Sequence, residues 1–282
     1  MSRYLYLYVV LILFISSQVL GQVYSNHGGW VRLNQQVISS NSFFDSDSQP
    51  MAIRTNTIYI TSITAEVGLT NRLTSTICFP FFVRSLLNQV EFNQSGTHFP
   101  GASLNALGDA DIGFRLALRN KMPIQVISFA SVGLPLGRKL KLGTDADLQT
   151  GDGEFNQIVG VQLLQTFKNV RLLGYASFNN RSKNFSNEIR YGIEIKYRGN
   201  YKIGAQFQFN AVESLFNDVA RVSLSGIFSN HRELFAPSLE LDYSLSKAIS
   251  AFIAGDFIIA GRNTLRAPLW RTGIQFNLRA SR

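Results

Sequence analysis

Residues 187–212 read NEIRYGIEIKYRGNYKIGAQFQFNAV, and the fold turns on how their alternation is read. Ile189, Tyr191, Ile193, Ile195 and Tyr197 alternate with Arg190, Gly192, Glu194, Lys196 and Arg198. After Gly199-Asn200 the pattern restarts: Tyr201, Ile203, Ala205, Phe207 and Phe209 alternate with Lys202, Gly204, Gln206, Gln208 and Asn210. A period of two sends one set to each face of a strand, whereas a helix would scatter the charges around its circumference. The break suits a tight turn between antiparallel strands. Each arm is about ten residues long, the length a tilted strand needs to cross a bilayer. One face is apolar and aromatic, the other carries both signs of charge. A soluble sandwich shows the same alternation, so the hairpin must be weighed with the rest of the chain.

The 282 residues are 45% hydrophobic, 16% charged and 12% aromatic, which excludes disorder and permits one large β domain. Arg3 precedes an apolar run from Tyr4 to Ile15, then Ser16-Ser17-Gln18-Val19-Leu20-Gly21. This reads as a secretory signal peptide over residues 1–21, cleaved before Gln22, too short to be a spanning helix. Residues 22–282 then form the exported barrel. Cys78 is the only cysteine, so no intramolecular disulfide framework exists, and its place in a strand marks it as a small buried side chain rather than a nucleophile. The net charge of +9 is dispersed without a basic run, and export argues against nucleic acid as a partner. Anionic lipid headgroups suit the dispersed basic residues better.

Taken in order, the expected strands cover residues 30–39, 57–69, 73–84, 109–119, 123–134, 155–167, 170–179, the two arms of the opening hairpin, 234–245, 249–260 and 268–279. The turns between them fall at 70–72, 120–121, 168–169, 198–200 and 246–247. Longer polar connections fall at 40–56, 85–108, 137–154, 180–186, 213–233 and 261–267. Short turns on one rim and longer loops on the other is the habit of outer-membrane barrels. Residues 219–228 could form a thirteenth strand on composition. Single-chain bacterial barrels have even strand numbers, so that segment is assigned to an external loop. Pro80, Pro123, Pro135, Pro237 and Pro268 are expected toward strand ends, where a missing N–H is tolerated. The fold class is therefore all-β: a transmembrane antiparallel up-and-down β-barrel of about 12 strands, in the bacterial outer membrane, with both termini in the periplasm.

Several phrases carry a family likeness: Trp30 with its strand, AEVGLTNRLTSTICFPFF (65–82), LGDADIGFRLAL (107–118), GLPLG (133–137), LQTGDGEFNQ (148–157) and APLWRTGIQFNL (267–278). Together they resemble a group of Gram-negative outer-membrane barrels labelled as the phenol meta-pathway family, loosely related to FadL-type hydrophobic-compound channels. The likeness covers most of the mature chain. Asn71 stands where that family usually has Asp, Leu136 where it has Thr, and residues 279–282 run past the aromatic Phe276 that commonly ends such chains. The resemblance implies a barrel with a transport role.

The inward-facing charges are the candidate site. Lumen-lining positions are Arg32, Glu66, Asp109, Asp111, Arg115, Arg190, Glu194, Lys196, Lys202, Glu240, Asp242, Asp256 and Arg271, with Arg119 and Glu188 in the same alternation. They are either a structural ladder of ion pairs or a polar path lined by both signs. Twelve strands lie between barrels filled by side chains and open aqueous channels, so a constricted passage is expected. Mixed signs argue against strong ion selectivity. Phe167, Tyr197, Tyr201 and Tyr243 are expected to form a periplasmic aromatic girdle. An enzyme reading needs a nucleophile with a base in reach. The only histidines, His27, His98 and His231, fall in terminal or loop segments, and catalysis is set aside. Asp145, Asp147, Asp152 and Glu154 share one loop without EF-hand spacing and read as solvated rather than as a calcium site. No cofactor is expected. The expected partners are outer-membrane lipid, the barrel-assembly machinery during insertion and a small, hydrophobic solute that passes through the lumen. A surface-binding barrel with a sealed lumen is the alternative.

Overall fold

A computed structural model of the chain describes residues 28–92, 97–119, 124–141, 147–199, 202–217 and 229–278. The expected signal peptide, the turn at Asn120-Lys121, Tyr201 and all of residues 219–228 lie outside them. Twelve strands run β1 (Gly29–Phe44), β2 (Pro50–Gly68), β3 (Leu73–Leu87), β4 (Ala110–Arg119), β5 (Gln125–Leu134) and β6 (Asn156–Phe167). They continue as β7 (Val170–Arg181), β8 (Glu188–Arg198), β9 (Ile203–Ser214), β10 (Glu233–Ser244), β11 (Ile249–Phe257) and β12 (Pro268–Leu278). Each pairs antiparallel with its neighbours in the chain, and β1 pairs with β12 from Gly29↔Leu278 to Ile38↔Leu269. The sheet has no edge. Full closure satisfies every ladder without water, the condition for a sheet to sit in hydrocarbon.

Alternation fixes which face looks out. Leu163, Ile193, Phe207, Ile253 and Ile274 point away from the axis and are 43–57% exposed, although no surface of a water-soluble sheet would hold so many large apolar side chains. Their partners across the strands share the face: Ile195 lies opposite Phe207, Ile193 opposite Phe209. The polar set turns inward. The result is an inside-out protein whose apolar belt meets lipid.

The opening hairpin closes differently from the two-residue turn expected of it. A turn made of Gly199-Asn200 alone would pair Arg198 with Tyr201, an inward residue with an outward one. Instead Arg198 pairs with Gly204, and the Gly199 N–H donates to the Ile203 carbonyl at 3.2 Å. The longer connection brings like faces together, which a strict period of two demands.

Several expected loops are sheet. Over residues 40–56, expected as a polar loop, β1 and β2 stay paired to Phe44↔Pro50 after a bulge between Ser40 and Ser42. The bulge turns Phe43 inward, where it packs with Ile38, Leu265 and Ala267 as a small apolar cluster at the long-loop end. Residues Ala102–Ala106 likewise extend the ladder on β3, and Lys139–Lys141 pairs with Asp147–Gln149 as a short hairpin. The prolines also correct the reading. Pro80 sits inside β3 and Pro237 inside β10. Pro80 is tolerated because the β2–β3 register breaks there, between Thr61 and Ile63. Pro237 falls where β10 passes from its pairing with β11, starting at Ser238, to the short strand Ala260–Arg262, ending at Phe235. No ladder bond is lost at either place. The last strand keeps regular pairing with both neighbours, to Leu278 on β1 and to Phe276 on β11.

Candidate functional site: the barrel interior

The inward faces carry five sets of charges, each formed because strand registers place opposite signs side by side. On β1, β10, β11 and β12, Arg32 makes a two-pronged contact with Glu240 at 3.0 and 3.1 Å and donates to Gln275 at 2.8 Å. Its guanidinium also lies over the Phe252 ring at 4.1 Å. Arg271 binds Asp256 through two bonds of 2.8 and 2.9 Å. Across the barrel, Arg115 on β4 meets Glu66 on β2 at 2.6 Å. On β7 and β8, Arg171 meets Glu194 at 2.7 Å. Near the short-turn rim, Lys196 and Arg198 both approach Asp242 at 3.8 Å.

The fifth set lies at the long-loop end. Glu188, 1% exposed, opens β8 and receives Arg181 at 2.8 Å and Arg190 at 2.7 Å, with Arg232 at 3.9 Å. Arg181 reaches on to Asp152 at 3.2 Å, and its guanidinium faces the Phe185 ring at 4.4 Å. Asn179 donates to the same Glu188 carboxylate and to Asn156. Five segments of the chain are thereby tied across one end of the barrel, and one carboxylate holds three arginines. Buried ions of this kind persist only when every partner stays in place.

Below this knot lies a cavity of about 900 Å³. Its lining extends from the short-turn residues Lys168, Asn169 and Gly199 up to Ser131, Ser177 and Arg190. One wall, from β5 to β7, is apolar through Ile127, Phe129, Ile158, Leu164 and Leu173; the facing wall is charged.

The sequence-derived positions divide accordingly. Arg32, Glu66, Arg115, Arg190, Glu194, Lys196 and Glu240 line this cavity. Asp242, Asp256 and Arg271 stand on the same inward faces, paired as described. Asp111 lies opposite Cys78 and Gly133 on that face. Lys202 belongs to the turn between β8 and β9, not to the wall. Asp109 is not on the wall either: it precedes β4 and binds the backbone at Gly137 and Gly153. Cys78 is half-buried on the inward face, its sulfur 3.8 Å from the Thr64 hydroxyl. Tyr197 and Tyr243 are outward and 49% and 45% exposed near the short-turn rim, and Phe167 ends β6 at that rim. Of the acidic loop, Asp152 receives Arg181 and Glu154 receives Ser182, so these two carboxylates serve the rim. His231, in the loop before β10, packs edge-on to Phe216 at 4.9 Å.

Sequence reasoning passed over Arg171, Arg181 and Arg232. On β7 the inward Leu173 and Tyr175 are as apolar as the outward Leu172 and Phe178, which erased the alternation that would have marked Arg171 and Arg181. Arg232 lies in a connection with no period at all.

Asp109 gives a pH-dependent prediction. Its Oδ1 accepts the Gly137 N–H at 2.7 Å and its Oδ2 the Gly153 N–H at 3.2 Å. Gly151 packs so closely on this carboxyl that a Cβ would collide with it. Burial raises the Asp109 pKa to about 6, with the Asp152 carboxyl beside it adding to the rise against the two N–H donors. A carboxyl raised above its unfolded value of roughly 4 stabilises the folded state fully below about pH 4 and loses that contribution as pH climbs through about 6. Amide exchange at Gly137 and Gly153 is expected to be slower at pH 5 than at pH 7.5 after correction for intrinsic rates. Asp109→Asn should remove that difference; a difference that survives the substitution would assign it elsewhere.

No family model matches the chain, and no curated protein matches it. Among solved structures, it resembles an outer-membrane channel from Pseudomonas putida F1, with 13% identity and a TM-score of 0.59 over 92% of this chain and 99% of that one. It also resembles the translocator domain of the autotransporter NalP from Neisseria meningitidis, with 9% identity and a TM-score of 0.52 over 90% of each chain. At such identities the likeness is one of fold: a twelve-stranded outer-membrane-type barrel. The phenol meta-pathway and FadL likeness rests on the sequence phrases alone.

Proposed function

We propose that the chain is a narrow passive channel of the Gram-negative outer membrane, exported by its N-terminal segment and inserted by the barrel-assembly machinery. The supporting observation is the cavity of about 900 Å³ inside a closed barrel, reaching the short-turn rim and lined by charge on one side and apolar groups on the other. Short turns face the periplasm in such barrels, so the cavity is entered from there. The Glu188 knot and the Asp109 contacts to Gly137 and Gly153 stand at the far end of this path. A small solute with apolar character fits this passage, which has a greasy wall as well as a polar one. No covalent chemistry is involved.

The Glu188 knot at the long-loop end favours one second reading: a sealed barrel whose outer loops bind an external partner. Single-channel recording in planar bilayers separates the two. Stepwise currents are expected from the purified protein, and deletion of residues 137–153 should enlarge them, because the Asp109-anchored cover is gone. A silent bilayer from protein that shows heat-modifiable gel migration, the mark of a folded barrel, would leave the sealed reading standing.

A further inference from the structure

The charges along the barrel are mixed in number but not in place. Seven basic side chains and three carboxylates line the cavity. Adding Glu188 and Asp242, which pair Arg190, Lys196 and Arg198 from its margin, still leaves seven against five. The imbalance grows toward the mouth. The short turns carry Arg72, Lys168, Lys202 and Lys247 and not one carboxylate; Lys121 falls in the remaining turn by sequence. An anion approaching from this side therefore meets a rim of one sign, set in low-dielectric walls that strengthen its field.

Within the cavity, Lys196 is the group left with capacity. Its side chain is 24% exposed, and its ion pair with the Asp242 carboxylate, at 3.8 Å, is longer than a hydrogen bond. Asp242 is shared with Arg198 at the same distance, so one carboxylate answers two cations. Arg171, paired with Glu194 at 2.7 Å, lies directly across the strand pair from Lys196, and Gln206 on its other side, opposite Glu240, adds an amide to the same patch. Leu173 and Leu164 on the neighbouring strands begin the apolar wall within the same cavity. A loosely paired ammonium beside a greasy wall matches a molecule with one anionic group and an apolar body.

We infer that this corner is a binding site for small amphipathic anions, with Lys196 as its anchor and the β5–β7 wall receiving the apolar part. This sharpens the proposed solute class and rests on reading the lumen as a solute path. It replaces the expectation of indifferent charge: the wall is mixed along its length, but its entrance selects anions.

The test compares two probes of equal shape, naphthalene-2-carboxylate and the neutral naphthalene-2-methanol. Both are titrated calorimetrically into the full-length folded protein in detergent, with empty micelles subtracted. The carboxylate is expected to bind roughly tenfold more tightly at low salt, as an unscreened ion pair in a half-buried corner allows. Raising ionic strength from about 0.05 M to about 0.5 M, which shortens the screening length severalfold, should erase most of that advantage. Lys196→Gln should bring the two probes within about twofold while leaving the alcohol unaffected. Equal binding of both probes by the wild type would overturn the site, as would an advantage unchanged in Lys196→Gln. Should that variant not fold, a preference independent of salt would overturn it just as well. Binding needs no conduction. A bound carboxylate with silent bilayers would remove the channel and keep the site; conductance without preference would do the reverse.

Discussion

Lysine in place of Ile193 is expected to cost about 2–4 kcal/mol of barrel stability in a bilayer, the penalty of an ammonium on the lipid face near the midplane. Ile193 sits in the middle of β8, 55% exposed on a face that carries only apolar groups around it. In an ordinary globular protein an isoleucine so exposed could become lysine at almost no cost. The same substitution therefore has opposite outcomes in the two settings. Guanidinium titration of the protein folded into phospholipid vesicles measures it, with tryptophan fluorescence following Trp30 and Trp270. A midpoint equal to that of the wild type would place Ile193 away from lipid. Ile195→Lys, at a half-buried position on the same face, should impair insertion in the same direction. Lys196→Ala, one residue further and inward, should leave insertion intact and change only the lumen.

The second large effect belongs to the Glu188 knot. Glu188→Gln keeps the side-chain shape and removes the one charge that holds Arg181, Arg190 and Arg232 together. Breaking a buried ion pair in this way costs about 3–5 kcal/mol, because uncompensated charges remain behind. The loss should concentrate at the long-loop rim rather than spread through the ladders, since each barrel strand keeps its own backbone bonds. Proteolysis is expected to cut residues 182–187 or 229–232 faster in the variant, while heat-modifiable migration persists. Channel recording should show larger or more frequent openings. A variant with wild-type proteolysis and wild-type currents would mean that the knot neither braces nor closes this end.

Much of the architecture could be read from single residues. The alternation of Ile189 to Phe209 set strand type and facing, because a side-chain period of two has only one structural source. The spacing of turns set the strand number, and parity excluded an odd count. Arg32, Glu66, Arg115, Glu194, Lys196 and Glu240 were assignable to the interior for the same reason: each sits between outward apolar neighbours. Loop lengths were the weak point. Residues 40–44, 50–56 and 102–106 have the look of connections, being rich in Ser, Asn and Asp or short of alternation, yet they lie in the ladder. Strand pairing above the membrane is held by backbone bonds and bulges, which leave little trace in side-chain type.

Sequence alone determined that the chain is a closed sheet with an apolar exterior and a charged interior. Hydrophobic alternation is a local property, repeated strand after strand, and needs no knowledge of partners. Only the tertiary structure decided what the interior does with its charges. The meeting of Arg181 with Glu188 and Asp152, the loop held down by Asp109, and the greasy wall facing Lys196 all join residues distant in the chain. Those contacts depend on barrel closure and strand register, which bring twelve inward faces around one axis. Local periodicity fixes the side a residue faces; closure fixes its neighbours, and the neighbours set the solute this barrel accepts.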